Sequence, residues 1–159
     1  MFENKYDCAK IISLLSKNEA GVAKLYQNYA KIFPESANFW KKISNDELIH
    51  ANKLSSLIPE AKKFLIEFNE QKVPSTWITE SIDFLKSEIE KANKGKVNLK
   101  KALKTALDIE KSVIEKDYFG AFLTQSKKAL KIISEISKDT DNHAESIEIK
   151  LAGLSSTKI

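Results

Sequence analysis

Two histidines and a small set of glutamates are the residues of this 159-residue chain whose types and spacing could do chemistry. Glu47 lies three residues before His50, so a helix would place both side chains on one face. Glu19, Glu110 and His143 each stand within a run of apolar residues at helical spacing. Carboxylates and imidazoles are ligands for divalent metal ions. The sequence therefore predicts a metal site, provided that the surrounding elements bring these residues to one core.

Apolar residues recur at intervals of three and four along most of the chain, which predicts amphipathic helices. Four glycines and three prolines are too few for the many turns of an all-β fold. Asp7 and Asn98 are suitable N-caps, and Gly153 is a suitable C-cap. The predicted helices run from Cys8 to Phe33, from Glu35 or Ser36 towards Pro59, from Ser75 to Ala92, from Asn98 to near Gly120, and from Thr124 or Ser126 to Ala152, with an apolar face continuing after Pro59 through Ala61, Phe64, Leu65 and Phe68.

The lengths of the connections predict the topology. Short connections join the first two helices and the last two, so each pair should be antiparallel, whereas the long segment at about 58–97 separates the pairs. Two antiparallel helix pairs linked by one long crossover form the ferritin-like variant of the four-helix bundle. We therefore expect an all-α fold in a single domain over residues 1–154, with an accessory helix in the crossover and a frayed tail at 155–159.

Each of the four predicted bundle helices has a polar interruption near the middle of its apolar stripe. The interruptions are Glu19 in the first helix, Glu47 and His50 in the second, Glu110 in the third, and Thr140 and His143 in the fourth. Buried carboxylates lose hydration and repel one another, so they need a cation. The chain has no arginine, and no lysine lies on these stripes. A dinuclear bundle site uses one Glu from each of two helices and a Glu-x-x-His from each of the other two, and five of these six positions fit.

Thr140 is the position that departs from this pattern, because a threonine hydroxyl is uncharged and a poor metal ligand. Asp139, four residues before His143, lies on an adjoining face and is a candidate replacement. Three outcomes stay open: a single metal ion, a weakened pair of ions, or a site in decay. A single ion would be held mainly by Glu19, Glu47, His50 and Glu110.

The chain resembles the rubrerythrin-type ferritin-like domain over nearly its whole length, most closely in the second helix and least in the fourth. The matching runs are Asn18-Glu19-Ala20 with Tyr26 and Tyr29, Phe33-Pro34, Phe39-Trp40, Asp46-Glu47-Leu48-Ile49-His50-Ala51, and Ala106-Leu107-Asp108-Ile109-Glu110-Lys111 with Tyr118. The resemblance implies two irons, or another divalent metal such as zinc or manganese, that act on peroxide, dioxygen or ferrous iron. It also implies that Tyr26 and Tyr118 hydrogen-bond ligand carboxylates, although both also suit ordinary core positions.

Two departures from the family leave a second function open. Cys8 is the only cysteine, so the rubredoxin module that delivers electrons in a rubrerythrin is missing and the electron donor is unknown. Val113, which we expect to face inward, stands where many peroxide-reducing members carry an additional Glu. Together with Thr140, these departures leave two functions open. One is a metal-dependent oxidoreductase, and the other is a ferritin-like scaffold that binds one metal ion or none and acts in protein interactions or iron handling.

The charge and composition of the chain limit the kinds of binding partner that we expect. The net charge of +4 is spread along the chain with acids interleaved, and the absence of arginine and of a basic tail argues against a DNA-protecting role. We expect no membrane association and a cytoplasmic location, because the N-terminal residues have no apolar run. A homodimer is expected, because bundles of this family commonly pair. Trp77 and Phe84 of the accessory helix also place apolar surface outside its own stripe.

Overall fold

A computed structural model describes residues 7–156, and most of them are helical. Its elements are α1 (Cys8–Ile32), α2 (Ala37–Ser55), α3 (Ile58–Lys62), β1 (Ile66–Phe68), α4 (Thr76–Asn93), α5 (Leu99–Glu110), α6 (Val113–Lys116), β2 (Phe122–Thr124) and α7 (Lys127–Ser156), with short 3₁₀ turns at Pro34–Ser36 and Phe119–Ala121. The predicted all-α class is confirmed at this level. The exception is a small antiparallel pairing of β1 with β2, which pairs Ile66 with Thr124.

Helices α1 and α2 run in opposite directions along one another. Near one end of the pair, the Ser16 hydroxyl donates to the Ala51 carbonyl over 2.8 Å. Near the other end, the Ser44 hydroxyl donates to the Ala23 carbonyl over 2.9 Å. Positions that advance along α1 therefore meet positions that retreat along α2, as the short connection between these helices predicts.

Contacts between residue pairs also establish the directions and neighbours of the other long helices. Helix α7 runs opposite to α2, because Lys53 contacts Glu135 at one level and Asp46 contacts His143 at another. Helix α5 packs against both α1 and α7. The accessory helix α4 lies along α1 in the same direction, with hydrogen bonds from Ser81 to Asn18 and from Asn28 to Asn93. Helices α1, α2, α5 and α7 thus surround a shared interior.

That interior has a polar layer between two apolar clusters. One cluster contains Leu15, Leu54 and Ile136, and the other contains Val22 and Ile43. The two clusters bury residues on either side of the positions at which the predicted stripes are interrupted. The buried polar residues of the interior therefore lie in the middle of the helices, with packed hydrocarbon above and below them.

The segment after α5 is built differently from the prediction. The helix expected from Asn98 to near Gly120 is interrupted after Glu110, because Ser112 has an extended backbone (φ −70°, ψ 160°) that breaks the helical hydrogen-bond ladder. The chain then resumes as the single turn of α6. Val113, expected to face inward, is 39% exposed as a result.

Two smaller predictions also fail. The apolar face expected to continue after Pro59 stops at the end of α3, where Phe64 adopts a positive φ of 61° and is 85% exposed. Of the predicted face, Ala61 and Phe68 are buried, and Phe68 belongs to β1 together with the buried Ile66. Gly153 does not cap the last helix, because α7 continues through Ser156 and includes the first two residues of the tail expected at 155–159. Residues 157–159, like residues 1–6, lie outside the described part of the chain.

Among the described residues, none of the helices is both long enough and apolar enough to cross a membrane.

Asn98 offers a direct test of the start of α5. Its side chain accepts a hydrogen bond from the Lys101 backbone N–H over 2.8 Å, which satisfies one of the free N–H groups at the helix end. Asn98→Ala should therefore lower the free energy of unfolding by about 1 kcal/mol in urea titrations. Asn98→Asp keeps the acceptor and should stay within about 0.5 kcal/mol of the wild type. Equal losses in both variants would contradict a capping role.

Candidate metal centre

The structure brings five of the predicted ligand residues together in the polar layer. Each of them is at most 3% exposed. Their ligand atoms form two groups, in each of which the atoms lie within 4.8 Å of one another. Glu19, Glu47 and His50 make the first group, and Glu47, Glu110 and His143 make the second. The two groups share Glu47, so the arrangement provides two adjacent positions for a cation.

Glu47 is placed between the two imidazoles. Its Oε1 lies 2.9 Å from Nδ1 of His143, and its Oε2 lies 3.4 Å from Nδ1 of His50. The planes of the two rings are inclined by 29°, and their centroids lie 6.0 Å apart. Nδ1 of His143 is also 3.5 Å from Oε1 of Glu110. One carboxylate thus faces both groups, and it could contribute an oxygen to each of them.

Two aspartates hold the outer nitrogens of the histidines. Oδ2 of Asp139 lies 2.9 Å from Nε2 of His50, and Oδ2 of Asp46 lies 2.9 Å from Nε2 of His143. Each aspartate reaches across to the histidine of the opposite helix. Carboxylates on the outer nitrogen orient a ligating imidazole and fix which nitrogen faces inward. Asp139 therefore does not replace Thr140 beside His143, as considered from the sequence; it orients His50.

The two predicted tyrosines have different positions. The Tyr26 hydroxyl donates to Oε1 of Glu110 over 2.9 Å, which is the contact that the resemblance implies. Tyr118 lies elsewhere: its ring stacks on Phe68, and its hydroxyl donates to the Pro74 carbonyl. The interruption between α5 and α6 changes the path of the chain before Tyr118. Tyr118 therefore serves the packing beside the small sheet, and it makes no contact with a ligand carboxylate.

Glu115 is the member of the layer that sequence reasoning missed. It is 2% exposed, and after burial the charge of Glu19 contributes most to the raised pKa of its carboxyl group. A continuous helix would have turned Val113 inward, whereas the interruption turns Glu115 inward in its place. A signal was present in the sequence, since Ser112-x-x-Glu115 has the form of a helix N-terminus. The site thus holds four buried carboxylates and not three.

Several oxygens of the layer have no hydrogen-bond partner among the described residues. They are Oε2 of Glu19, Oε2 of Glu110, both carboxyl oxygens of Glu115 and Oγ1 of Thr140. A buried carboxylate oxygen without a partner costs about 1–3 kcal/mol or more, so native cores rarely leave several together. Divalent cations would satisfy the glutamate oxygens. These unpartnered atoms and the donor set of Glu and His fit a metal centre.

The electrostatics of the carboxylates indicate the same requirement. Burial is the main cause that raises the pKa of Glu19 well above its ordinary range, and the charge of Glu47 is the second. Burial and the charge of Glu110 raise the pKa of Glu47 to about 8. Burial and the charge of Glu19 raise the pKa of Glu115. Without a cation these groups favour the protonated form at neutral pH, so metal binding must release protons.

The histidines shift in opposite directions. Burial lowers the pKa of His50, although Asp139 partly offsets this effect. Burial also acts to lower the pKa of His143, but hydrogen bonds and charge from Glu110 and Glu47 outweigh it and raise the pKa to about 11. In the absence of metal, His143 is thus the internal cation of the layer and His50 is neutral.

Comparisons of the chain with protein-family models, with curated proteins and with solved structures return no match in any of the three.

The stability of the metal-free protein should depend on pH in a characteristic direction. Glu19, Glu47 and Glu115 have a higher pKa folded than unfolded, so the folded state binds more protons and the free energy of unfolding falls as pH rises. The raised pKa of His143 adds to this fall above pH 6.5, whereas the lowered pKa of His50 opposes it mainly below that pH. Urea titrations with a chelator should show a loss of about 1 kcal/mol or more between pH 6.5 and 8.

Glu115→Gln provides the internal check, because it removes one of these titrating groups at nearly constant volume. The variant should flatten the pH dependence, whereas Glu145→Gln, on the exposed face of α7, should leave it unchanged. Rising stability of the metal-free wild type over this window would contradict the assignment.

Proposed function

We propose that the chain is a ferritin-like metalloprotein that binds two divalent ions, iron in the first place and zinc or manganese as alternatives. We further propose that it is a non-haem oxidoreductase acting on peroxide, dioxygen or ferrous iron. The observation that carries the proposal is the position of Glu47, which is shared by two groups of ligand atoms and faces both histidines.

The packing of the helices supports the ferritin-like part of the proposal. The contacts place α1 beside α2 and α5, and α7 beside α2 and α5. The long segment between α2 and α5 carries α3, β1 and the accessory helix α4. Two helix pairs joined by a crossover of this kind are the arrangement in which inward-facing Glu and His residues build dinuclear centres.

Charge balance supports two ions. Glu19, Glu47, Glu110 and Glu115 are buried, and neither a lysine nor an arginine is among the buried residues of the described chain. Two divalent ions would neutralise the four carboxylates with both imidazoles uncharged. Glu115 thereby restores the number of acids that the dinuclear pattern requires, although it comes from α6 and not from the position of Thr140.

The residues of the two groups and their hydrogen-bond partners have distinct tasks in this proposal. Glu19 and His50 would hold one ion, Glu110 and His143 the other, and Glu47 both. Tyr26 holds the Glu110 carboxylate through its hydroxyl, while Asp46 and Asp139 keep the Nδ1 atoms directed inward. Bound iron would supply the redox capacity that this chain's own side chains lack. The apolar clusters pack on either side of the layer along the bundle and limit its contact with solvent from those two directions. Electrons would come from a separate donor.

Metal titration tests the proposal. Anaerobic addition of ferrous iron to the metal-free protein, followed by desalting and metal analysis, should give about two ions per chain. Glu47→Gln removes the shared carboxylate and should reduce the bound metal to one ion or fewer, because both groups lose a charged ligand. Glu145→Gln, which removes the same charge from the exposed face of α7, should still bind two. Absence of bound metal in the wild type would refute the proposal.

Thr140 favours a second candidate function, a ferritin-like scaffold that holds one ion or none and acts through its surface. Thr140 is fully buried, and its hydroxyl has no hydrogen-bond partner among the described residues. It occupies the position at which the dinuclear pattern has its second bridging acid. If Glu115 does not compensate for this loss, the second ion would bind weakly.

Thr140→Glu separates the two candidates. If Glu115 already completes the ligand set, the wild type binds two ions and Thr140→Glu leaves that stoichiometry unchanged, with an affinity that changes by less than about tenfold (1.4 kcal/mol). Thr140→Gln is the control for the added volume. A rise from one bound ion to two in Thr140→Glu, absent in Thr140→Gln, would support the scaffold and contradict the dinuclear wild type.

A further inference from the structure

A cavity of about 450 Å³ lies between the accessory helix α4 and the interruption that separates α5 from α6. Its volume is in the range of sites for small molecules. Trp77 and Phe84 line it from α4, and Ile109 and Val113 line it from the other side. Trp77 and Phe84 are 41% and 46% exposed, so the apolar walls remain accessible from solvent.

The inner end of the cavity reaches the polar layer. Glu115 lines the cavity, is 2% exposed, and has no hydrogen-bond partner for either carboxyl oxygen among the described residues. The charge of Glu19, which belongs to the first group of ligand atoms, acts on the same carboxylate and raises its pKa. Asn18 also lines the cavity, but its Oδ1 already accepts a hydrogen bond from Ser81 over 2.6 Å. Glu115 is thus a buried acceptor at the inner end of the cavity, on the side of Glu19.

The charged residues that line the cavity determine which ligand charge it favours. Glu80 and Asp108 line it together with Glu115, and none of the chain's 26 lysines is among its lining residues. The groove between α1 and α4 differs in this respect, since Lys17, Lys24 and Lys86 line it. Three acids and no cation disfavour an anionic ligand at the cavity. The walls favour an apolar or aromatic body, and Glu115 favours a hydrogen-bond donor.

We infer that this cavity is the substrate site of the metal centre, for small molecules with an aromatic or apolar body and a hydrogen-bond-donating, non-anionic head group directed at Glu115. The inference rests on the proposed function, because it assigns a substrate class to the same centre. It extends that function from small inorganic oxidants to organic molecules whose head group is an alcohol, hydroperoxide or amine. The accessory helix provides the wall that makes this selection.

Three probes with one phenyl ring and different head groups test the class of ligand. Benzyl alcohol and benzylamine carry a neutral and a cationic donor, and benzoate carries an anion. Binding to the metal-free full-length protein is measured by saturation-transfer NMR titration. At least one of the two donors should bind, and benzoate should bind at least about tenfold more weakly. Benzoate binding as tightly as both donors, or no binding by either donor, would overturn the inference.

Variants locate the binding. Val113→Trp should fill the mouth of the cavity and weaken binding of the donor probe at least about tenfold. Leu130→Trp is the matched control, since Leu130 is 51% exposed on α7 and does not line the cavity. Trp77→Ala should also weaken binding by removing one aromatic wall. Unchanged affinity in both Val113→Trp and Trp77→Ala would overturn the inference.

The two proposals fail separately. Probe binding without metal uptake would refute the metal centre and with it the role of the cavity as a substrate site. Two bound ions without probe binding would leave the metal centre intact and refute the cavity. If sedimentation shows a dimer that Trp77→Asp dissociates, and the probes do not bind, the face belongs to the predicted homodimer and the inference is wrong.

Discussion

Four carboxylates and two imidazoles buried in one layer are the constraint on which the rest of the structure depends. The Born cost of moving a single carboxylate into a dry interior far exceeds the net stability of a domain, which is about 5–15 kcal/mol. Protonation relieves part of this cost in the metal-free state, and His143 relieves another part as an internal cation. The oxygens that remain without partners indicate that neither is sufficient. The proposed pair of divalent ions would satisfy both charge and coordination.

The two helix pairs supply this layer in matched halves. Asp46-Glu47-x-x-His50 on α2 corresponds to Asp139-Thr140-x-x-His143 on α7, and each aspartate holds the histidine of the other half. This exchange ties α2 to α7 at the level of the site. The departure at Thr140 breaks the correspondence at one position only. The interruption after Glu110 introduces Glu115 on the side of the layer next to Glu19.

Much of the site could be predicted because helical periodicity determines which residues share a face. Glu19, Glu47, His50, Glu110 and His143 interrupt apolar stripes, and a buried stripe leaves little freedom in where its polar members point. The N-caps Asp7 and Asn98 were likewise predicted from residue type, and both side chains accept the expected backbone hydrogen bonds. Local patterns that repeat over many residues therefore carried most of the prediction.

The errors occur where a single backbone conformation decides the result. Because Ser112 is extended, Glu115 is buried in the interior where Val113 was expected, and Val113 is exposed. The same change of path places Tyr118 away from the candidate metal ligands. The positive φ of Phe64 ended the apolar face beyond Pro59 and preceded the small sheet. Asp139 was misassigned because its partner lies on another helix, and sequence spacing within α7 carries no information about that distance. None of these features can be predicted from the spacing of apolar residues along a helix.

Anomalous diffraction from crystals loaded anaerobically with ferrous iron is the most direct measurement of the central claim. Two peaks about 3.5–4 Å apart are expected in the polar layer. One should lie among Glu19, Glu47 and His50, and the other among Glu47, Glu110 and His143. A layer without any peak, or iron bound only at surface carboxylates, would contradict a dinuclear centre in this protein.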